Sequence, residues 1–127
     1  MRDYRKIRAW EKADNLTVAI YEVTRKFPRE EIYGLTSQLR RSAYSVPSNI
    51  AEGSARETNK DYLHFLYIAR ASLTEAQYFL HLAERLKYLS EEAHTILAKE
   101  TKTAFVLLTG LIKAVKKESS SLPRSGK

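Results

Sequence analysis

The side chains in this chain that could do chemistry are three histidines, fifteen carboxylates and a group of serines. Glu91-x-x-His94 and Asp61-x-x-His64 have the spacing that puts a carboxylate and an imidazole on one helical face, as in di-iron bundles, where further glutamates from other helices complete the site. Ser42, Ser45 and Ser48 recur at three-residue steps, but small residues on a packed helix account for them without a nucleophile. There is no cysteine, which removes thiol catalysis, disulfide frameworks and Cys-based zinc sites. A nucleophile elbow, a Gly-rich phosphate loop and an HExxH pair are all absent from the sequence. The expectation is a protein that is not an enzyme, with no catalytic, cofactor-binding or metal-binding residues.

The elements that would position these groups read as four helices. Trp10, Ala13, Leu16, Ile20, Val23 and Phe27 recur at three- and four-residue steps and predict a first helix over about 9–26, stopped by Pro28. After a short connector, Arg29 to Gly34, a second helix is expected over about 35–55, its stripe formed by Leu35, Leu39, Ala43, Val46, Ile50 and Ala51. Pro47 falls inside this stripe and predicts a kink or local break. Thr58, with Asp61 three residues on, opens a third helix that should run to about Lys87. Ser90 followed by Glu91 and Glu92 opens a fourth, fraying near Glu118. Four helices with short links pack most simply as an all-α, antiparallel up-down-up-down four-helix bundle over residues 1–118. Residues 119–127 have no periodicity and read as a disordered tail.

That topology acts on the charge. The chain carries +7 at neutral pH, and up-down-up-down packing puts the start of the first helix, the turn between the second and third, and the end of the fourth at one end. Residues 2–12 hold five basic and two acidic side chains, residues 113–127 five and one, and residues 52–61 two and three. Together they account for six of the seven excess charges. Such a pole attracts a polyanion through phosphate neutralisation and counterion release, although lysines at helix C-termini also complement the helix dipole. The nucleic-acid-binding residues expected here are Arg5, Lys6, Arg8, Lys12, Lys113, Lys116 and Lys117, with Arg40 and Arg41 as additions. No base-reading motif accompanies them, so binding should have little sequence selectivity.

The third helix is apolar over more of its circumference than one core needs. Leu63, Tyr67, Ile68, Tyr78 and Leu82 spread beyond the core stripe expected from Tyr62, Phe65, Leu66, Ala69, Leu73, Ala76, Phe79, Leu80, Ala83 and Leu86, which predicts an oligomer interface built from those five. Counting outward from the turn at residues 56–57 puts Glu75 level with Gln38 and Ser72 level with Arg41, and predicts a contact from Glu75 to Arg41 or Gln38.

Trp10-Glu-Lys-Ala13, Phe27-Pro28, Tyr33-Gly34-Leu35, Gln38-Leu-Arg-Arg-Ser-Ala43, Val46-Pro47-Ser48-Asn49-Ile50-Ala51-Glu52-Gly53 and Ser72-Leu-Thr-Glu75 together resemble the bacterial four-helix bundle family of 23S rRNA intervening-sequence proteins. The resemblance covers about residues 7–115 and is most specific from Gly34 to Gly53. It implies an antiparallel four-helix bundle assembled as a homopentamer around a central channel, with no established enzymatic activity. The accessory protein of diversity-generating retroelements, associated with nucleic acid and reverse transcriptase, is similar in architecture. The resemblance also makes the Pro47 to Gly53 segment a structural signature, with Pro47 shaping the second helix and Ile50 and Ala51 fitting against Trp10.

The combined expectation is a cytoplasmic homo-oligomer, a pentamer by resemblance, that engages RNA or DNA through a basic end or channel. The alternative is a scaffold that recruits an unknown protein partner, its charge serving solubility. No membrane partner is expected, since no run approaches the ~18 apolar residues of a spanning helix.

Overall fold

The computed structural model describes residues 2–121, with side chains through Glu118. A single 3-10 turn, Tyr4–Lys6, leads into α1 (Arg8–Thr24); a second, Arg29–Glu31, precedes α2 (Leu35–Ser54); α3 (Asn59–Arg85) and α4 (Glu91–Ser121) follow. α1 packs on α2, α2 on α3, α3 on α4, and α4 closes the ring against α1. This is the antiparallel four-helix bundle expected from the sequence, and no strand occurs among the described residues. α4 continues three residues past the expected fraying point at Glu118; the rest of the expected tail, 122–127, lies outside the described residues.

The helix starts follow their capping chemistry. The Thr58 side chain accepts the Asp61 N–H at 3.1 Å, and the Ser90 hydroxyl accepts the Ala93 N–H at 3.1 Å, each satisfying one of the orphan donors at a helix N-terminus. α2 begins after Gly34, which has no side chain to offer, so Glu31 reaches forward instead. One of its carboxylate oxygens accepts the Leu35 N–H at 3.0 Å and the other accepts the Tyr88 hydroxyl at 2.8 Å. These two bonds hold the Glu31 carboxyl below its ordinary pKa, the Leu35 N–H contributing most, and the same carboxylate pushes the Tyr88 phenol up. The carboxylate thereby ties the α1–α2 connector to the α3–α4 turn. α3 ends two residues earlier than expected because Lys87 adopts a left-handed φ of 63°, and the Tyr88 N–H turns back to the Ala83 carbonyl at 2.9 Å, the closing bond of a Schellman-type cap.

The core runs the length of the bundle. On α3, Leu66, Leu73 and Leu80 alternate with Ala69, Ala76 and Ala83 at a 3-4 spacing, all essentially inaccessible to solvent, so large and small side chains interdigitate with the neighbouring helices. Buried hydroxyls return to their own helices: Thr24 donates to Ile20, Ser42 to Leu39, Ser54 to Ala51 and Thr101 to Leu97, at 2.7–3.0 Å. Ser42 is thus a satisfied core residue, which answers the serine cluster structurally.

Pro47 does not break α2, which is helical on both sides of it. A proline at this position leaves the carbonyl four residues back, that of Ala43, without its helical donor. The Thr17 hydroxyl of α1 fills the gap, lying 3.1 Å from the Ala43 oxygen and 2.8 Å from its own Ala13 carbonyl. A neighbouring helix thus supplies the donor that the break would otherwise have conceded to water.

Near the end of α2, a Cβ added at Gly53 would lie 2.8 Å from Phe65 Cβ, 3.0 Å from Tyr62 Cδ1 and 3.3 Å from the Tyr62 carbonyl. Only glycine allows α2 and α3 to approach this closely. Gly53→Ala is therefore expected to destabilise the bundle by about 1–3 kcal/mol, measured by urea denaturation; an unchanged midpoint would show that the two helices can separate without cost.

Candidate nucleic-acid interface

The start of α1, the α2–α3 turn and the end of α4 do meet at one end of the bundle; residues 122–127 of the expected basic stretch lie outside the described residues. The Arg2 guanidinium donates to the Ser54 and Arg56 carbonyls, each at 3.3 Å, and to the Asn59 side-chain oxygen at 2.6 Å, while it lies over the Tyr62 ring at 4.5 Å. The Asn59 amide in turn donates to Glu118 of α4 at 3.1 Å. One arginine thus satisfies carbonyls exposed at the C-terminus of α2 and pins the N-terminal segment to the α2–α3 turn, and Asn59 extends the network to the end of α4. Burial raises the Tyr62 phenol. Sequence spacing carried no signal for the Arg2 clasp, since its partners lie more than fifty residues away.

Around this clasp the expected cations occupy distinct positions. Arg5 pairs with Asp3 at 3.2 Å; its side-chain and backbone donors hold the Asp3 carboxyl low, and Asp3 raises Arg5 in return. Arg5 therefore directs part of its charge inward to its own segment. Lys6 and Arg8 are exposed and Lys12 is half-buried at the start of α1, while Lys113, Lys116 and Lys117 are exposed at the end of α4. Arg56 pairs with Glu52 at 3.1 Å and covers the Phe65 ring at 4.6 Å. Trp10 is half-buried against the core and meets the Tyr4 ring edge-on at 5.0 Å.

Arg40 and Arg41 do not join this group. Arg40 donates to the Thr24 hydroxyl at 2.8 Å and stacks over Tyr21 at 4.6 Å, near the end of α1 and about 20 Å along α2 from Ser54 at 1.5 Å per residue. Arg41 is exposed one residue further on. Both belong to the far half of the bundle.

The expected contact from Glu75 to Arg41 or Gln38 does not form. All three side chains are exposed, and the polar pair between α2 and α3 at this height joins the hydroxyls of Ser45 and Ser72 at 2.9 Å. Ser72 therefore lies level with Ser45, four residues from the expected Arg41. The shift follows from helix geometry. Cα–Cβ bonds tilt toward each helix's N-terminus, so side chains of α2 lean away from the connecting turn and those of α3 lean toward it. Partners then lie nearer the turn on α2 than counting from its midpoint gives.

The five residues expected at an oligomer interface divide between two sides of α3. Tyr67 faces α4, its ring 5.9 Å from the Lys116 ammonium, and shares a cavity with Leu63. Ile68 and Leu82 sit toward α2, on the edge marked by Ser72 and by Phe65 against Gly53. Tyr78 points outward and is 55% exposed. The two carboxylate–histidine pairs lie at opposite ends, at the starts of α3 and α4; His94 lies 3.7 Å from Glu84. No cluster of three metal-ligating side chains occurs among the described residues, and no described helix is long and apolar enough to cross a membrane.

The family model for the 23S rRNA-intervening sequence protein matches residues 5–110; Lys113, Lys116 and Lys117 lie beyond that stretch. A solved structure of a protein with unknown function from the S23 ribosomal protein family of Bacteroides thetaiotaomicron VPI-5482 is similar, with a TM-score of 0.76 and 24% identity over 83% of this chain and 95% of that one. At this identity the likeness speaks for the fold. No curated protein matches the chain significantly.

Arg2→Ala should release the N-terminal segment and cost about 1–2 kcal/mol. Faster amide hydrogen exchange at Lys6 and Ile7, with the centre of α3 unchanged, is the expected reading; unaltered exchange there would mean that the clasp is dispensable.

Proposed function

The chain belongs to the 23S rRNA-intervening sequence protein family, and from that premise together with its basic pole we propose a non-catalytic, self-assembling bundle that binds RNA or DNA with little sequence selectivity in the cytoplasm. The observation that carries this reading is the convergence of three chain segments through Arg2, Asn59 and Glu118. Convergence turns cations scattered in sequence into neighbours in space, and a phosphate backbone answers such a cluster by releasing its counterions. Lys6, Arg8, Lys12, Lys113, Lys116 and Lys117 are the phosphate-facing set. Arg5 contributes less because Asp3 engages it, and Arg40 and Arg41 stand apart.

Self-association is assigned to the outer face of α3 toward α2. Ile68 is 37% exposed and Tyr78 55%, Leu82 is half-buried beside them, and Glu75 interrupts the row with a charge that has no partner among the described residues. Arg41 on α2 is exposed and likewise without a partner among the described residues, so one copy offers both signs of charge to the next. The family resemblance gives a ring of five copies. The rival reading, a scaffold for a partner protein, rests on the same apolar row.

Two measurements test these assignments. A log–log plot of affinity for mixed-sequence RNA against salt should fall steeply, and reversing Lys113, Lys116 and Lys117 to glutamate should make it shallower by about 2–3 units of slope. Unchanged binding by that variant, or no binding by the natural chain at low salt, overturns the polar-end assignment, the second result favouring the scaffold. Native mass spectrometry should give five-chain particles that Ile68→Glu reduces to monomers; a monomeric natural chain overturns the self-association assignment.

A further inference from the structure

A groove along α3 at the same pole, beside α4, has features that phosphate attraction alone does not need. A cavity of about 610 Å³, lined by Lys60, Asp61, Leu63, His64 and Tyr67, is within the roughly 300–1,000 Å³ range of small-ligand sites. At its edge two cations from different helices lie over the Tyr67 ring, Arg70 of α3 at 5.3 Å and Lys116 of α4 at 5.9 Å. Tyr67 is 37% exposed, and its hydroxyl makes no hydrogen bond among the described residues. Lys113 lies one turn before Lys116 and lines a second cavity, of about 340 Å³, with Phe105, Val106, Thr109 and Gly110. At Gly110 a Cβ would meet nothing within 4 Å, so the α4 wall is open there.

Resting on the reading that this pole receives nucleic acid, we propose that this groove and the α4 lysines beside it form a single-strand site: an unpaired base takes the place of the long cationic side chains over the Tyr67 ring, and Arg70 and Lys116, displaced from it, hold the flanking phosphates together with Lys60 and Lys113. A duplex keeps its bases stacked on each other and offers this groove only phosphates. A single strand offers a π-face for each base, and an aromatic ring flanked by cations is the means by which proteins hold such strands without reading sequence. Asp61, at the α3 mouth of the groove, repels phosphate and steers the backbone toward the lysines of α4. Tyr67 stands on the α4 side of α3, and Ile68, Tyr78 and Leu82 are not among the residues lining the cavity.

The test compares a labelled mixed-sequence 20-nucleotide single strand with its duplex by fluorescence anisotropy, using the full chain at low salt. Tyr67→Ala should weaken single-strand binding by roughly tenfold and leave duplex binding within about twofold, and Tyr67→Phe, which keeps the ring, should bind as the natural chain does. Arg70→Gln should weaken single-strand binding in the same sense, which gives a second reading if Tyr67→Ala folds poorly. Natural single-strand affinity in Tyr67→Ala, or an equal loss on both ligands, overturns the proposal. If the lysine-to-glutamate variant loses binding while Tyr67→Ala does not, the groove fails and the basic pole stands. If the natural chain binds neither ligand, both fail together.

Discussion

The antiparallel order of the helices is the constraint on which everything else in this molecule depends. Each helix reverses the one before it, so the first and last helices are antiparallel neighbours and the start of α1 and the end of α4 meet beside the α2–α3 turn. Like charges brought together repel, and a compact state with such a cluster needs stability from elsewhere. The leucine and alanine ladder of α3, buried along its length, supplies it. Arg2 then converts part of the repulsion into structure by satisfying carbonyls at the end of α2. Lys6, Arg8 and Lys113 are exposed beside it, where a polyanion would relieve the repulsion that folding created.

α3 carries two outer edges with different chemistry. Toward α2 the exposed residues are apolar, with one carboxylate among them and an unpartnered arginine on the neighbouring helix. Toward α4 they are aromatic and cationic, and the two cations on Tyr67 come from different helices. In the proposed reading the first edge serves assembly and the second receives the ligand.

Much of this architecture was legible in the sequence because the signals were local. Thr58 and Ser90 marked helix starts through their own hydroxyls, the 3-4 periodicity marked the core, and the short links dictated antiparallel order, which placed the basic segments together. What stayed hidden depended on distance or on direction. The contact that keeps α2 continuous at Pro47 lay with Thr17, thirty residues away on another helix, so the sequence offered a kink or a local break without deciding between them. The place of Glu75 depended on the lean of side chains along opposed helices, which residue counting ignores. Arg40 read as a free cation because its partners, Thr24 and Tyr21, belong to the preceding helix. The early end of α3 turned on a lysine in a conformation usually taken by glycine.

The account stands on one spatial claim, that a nucleic acid meets this protein at the end where the start of α1 and the end of α4 converge. Hydrogen–deuterium exchange of the full chain, with and without a saturating mixed-sequence RNA strand, tests it directly. Slowed exchange confined to residues 2–12, 58–70 and 109–118 is the predicted footprint. A footprint centred instead on residues 24–34 and 85–93, at the opposite end of the bundle, would contradict it.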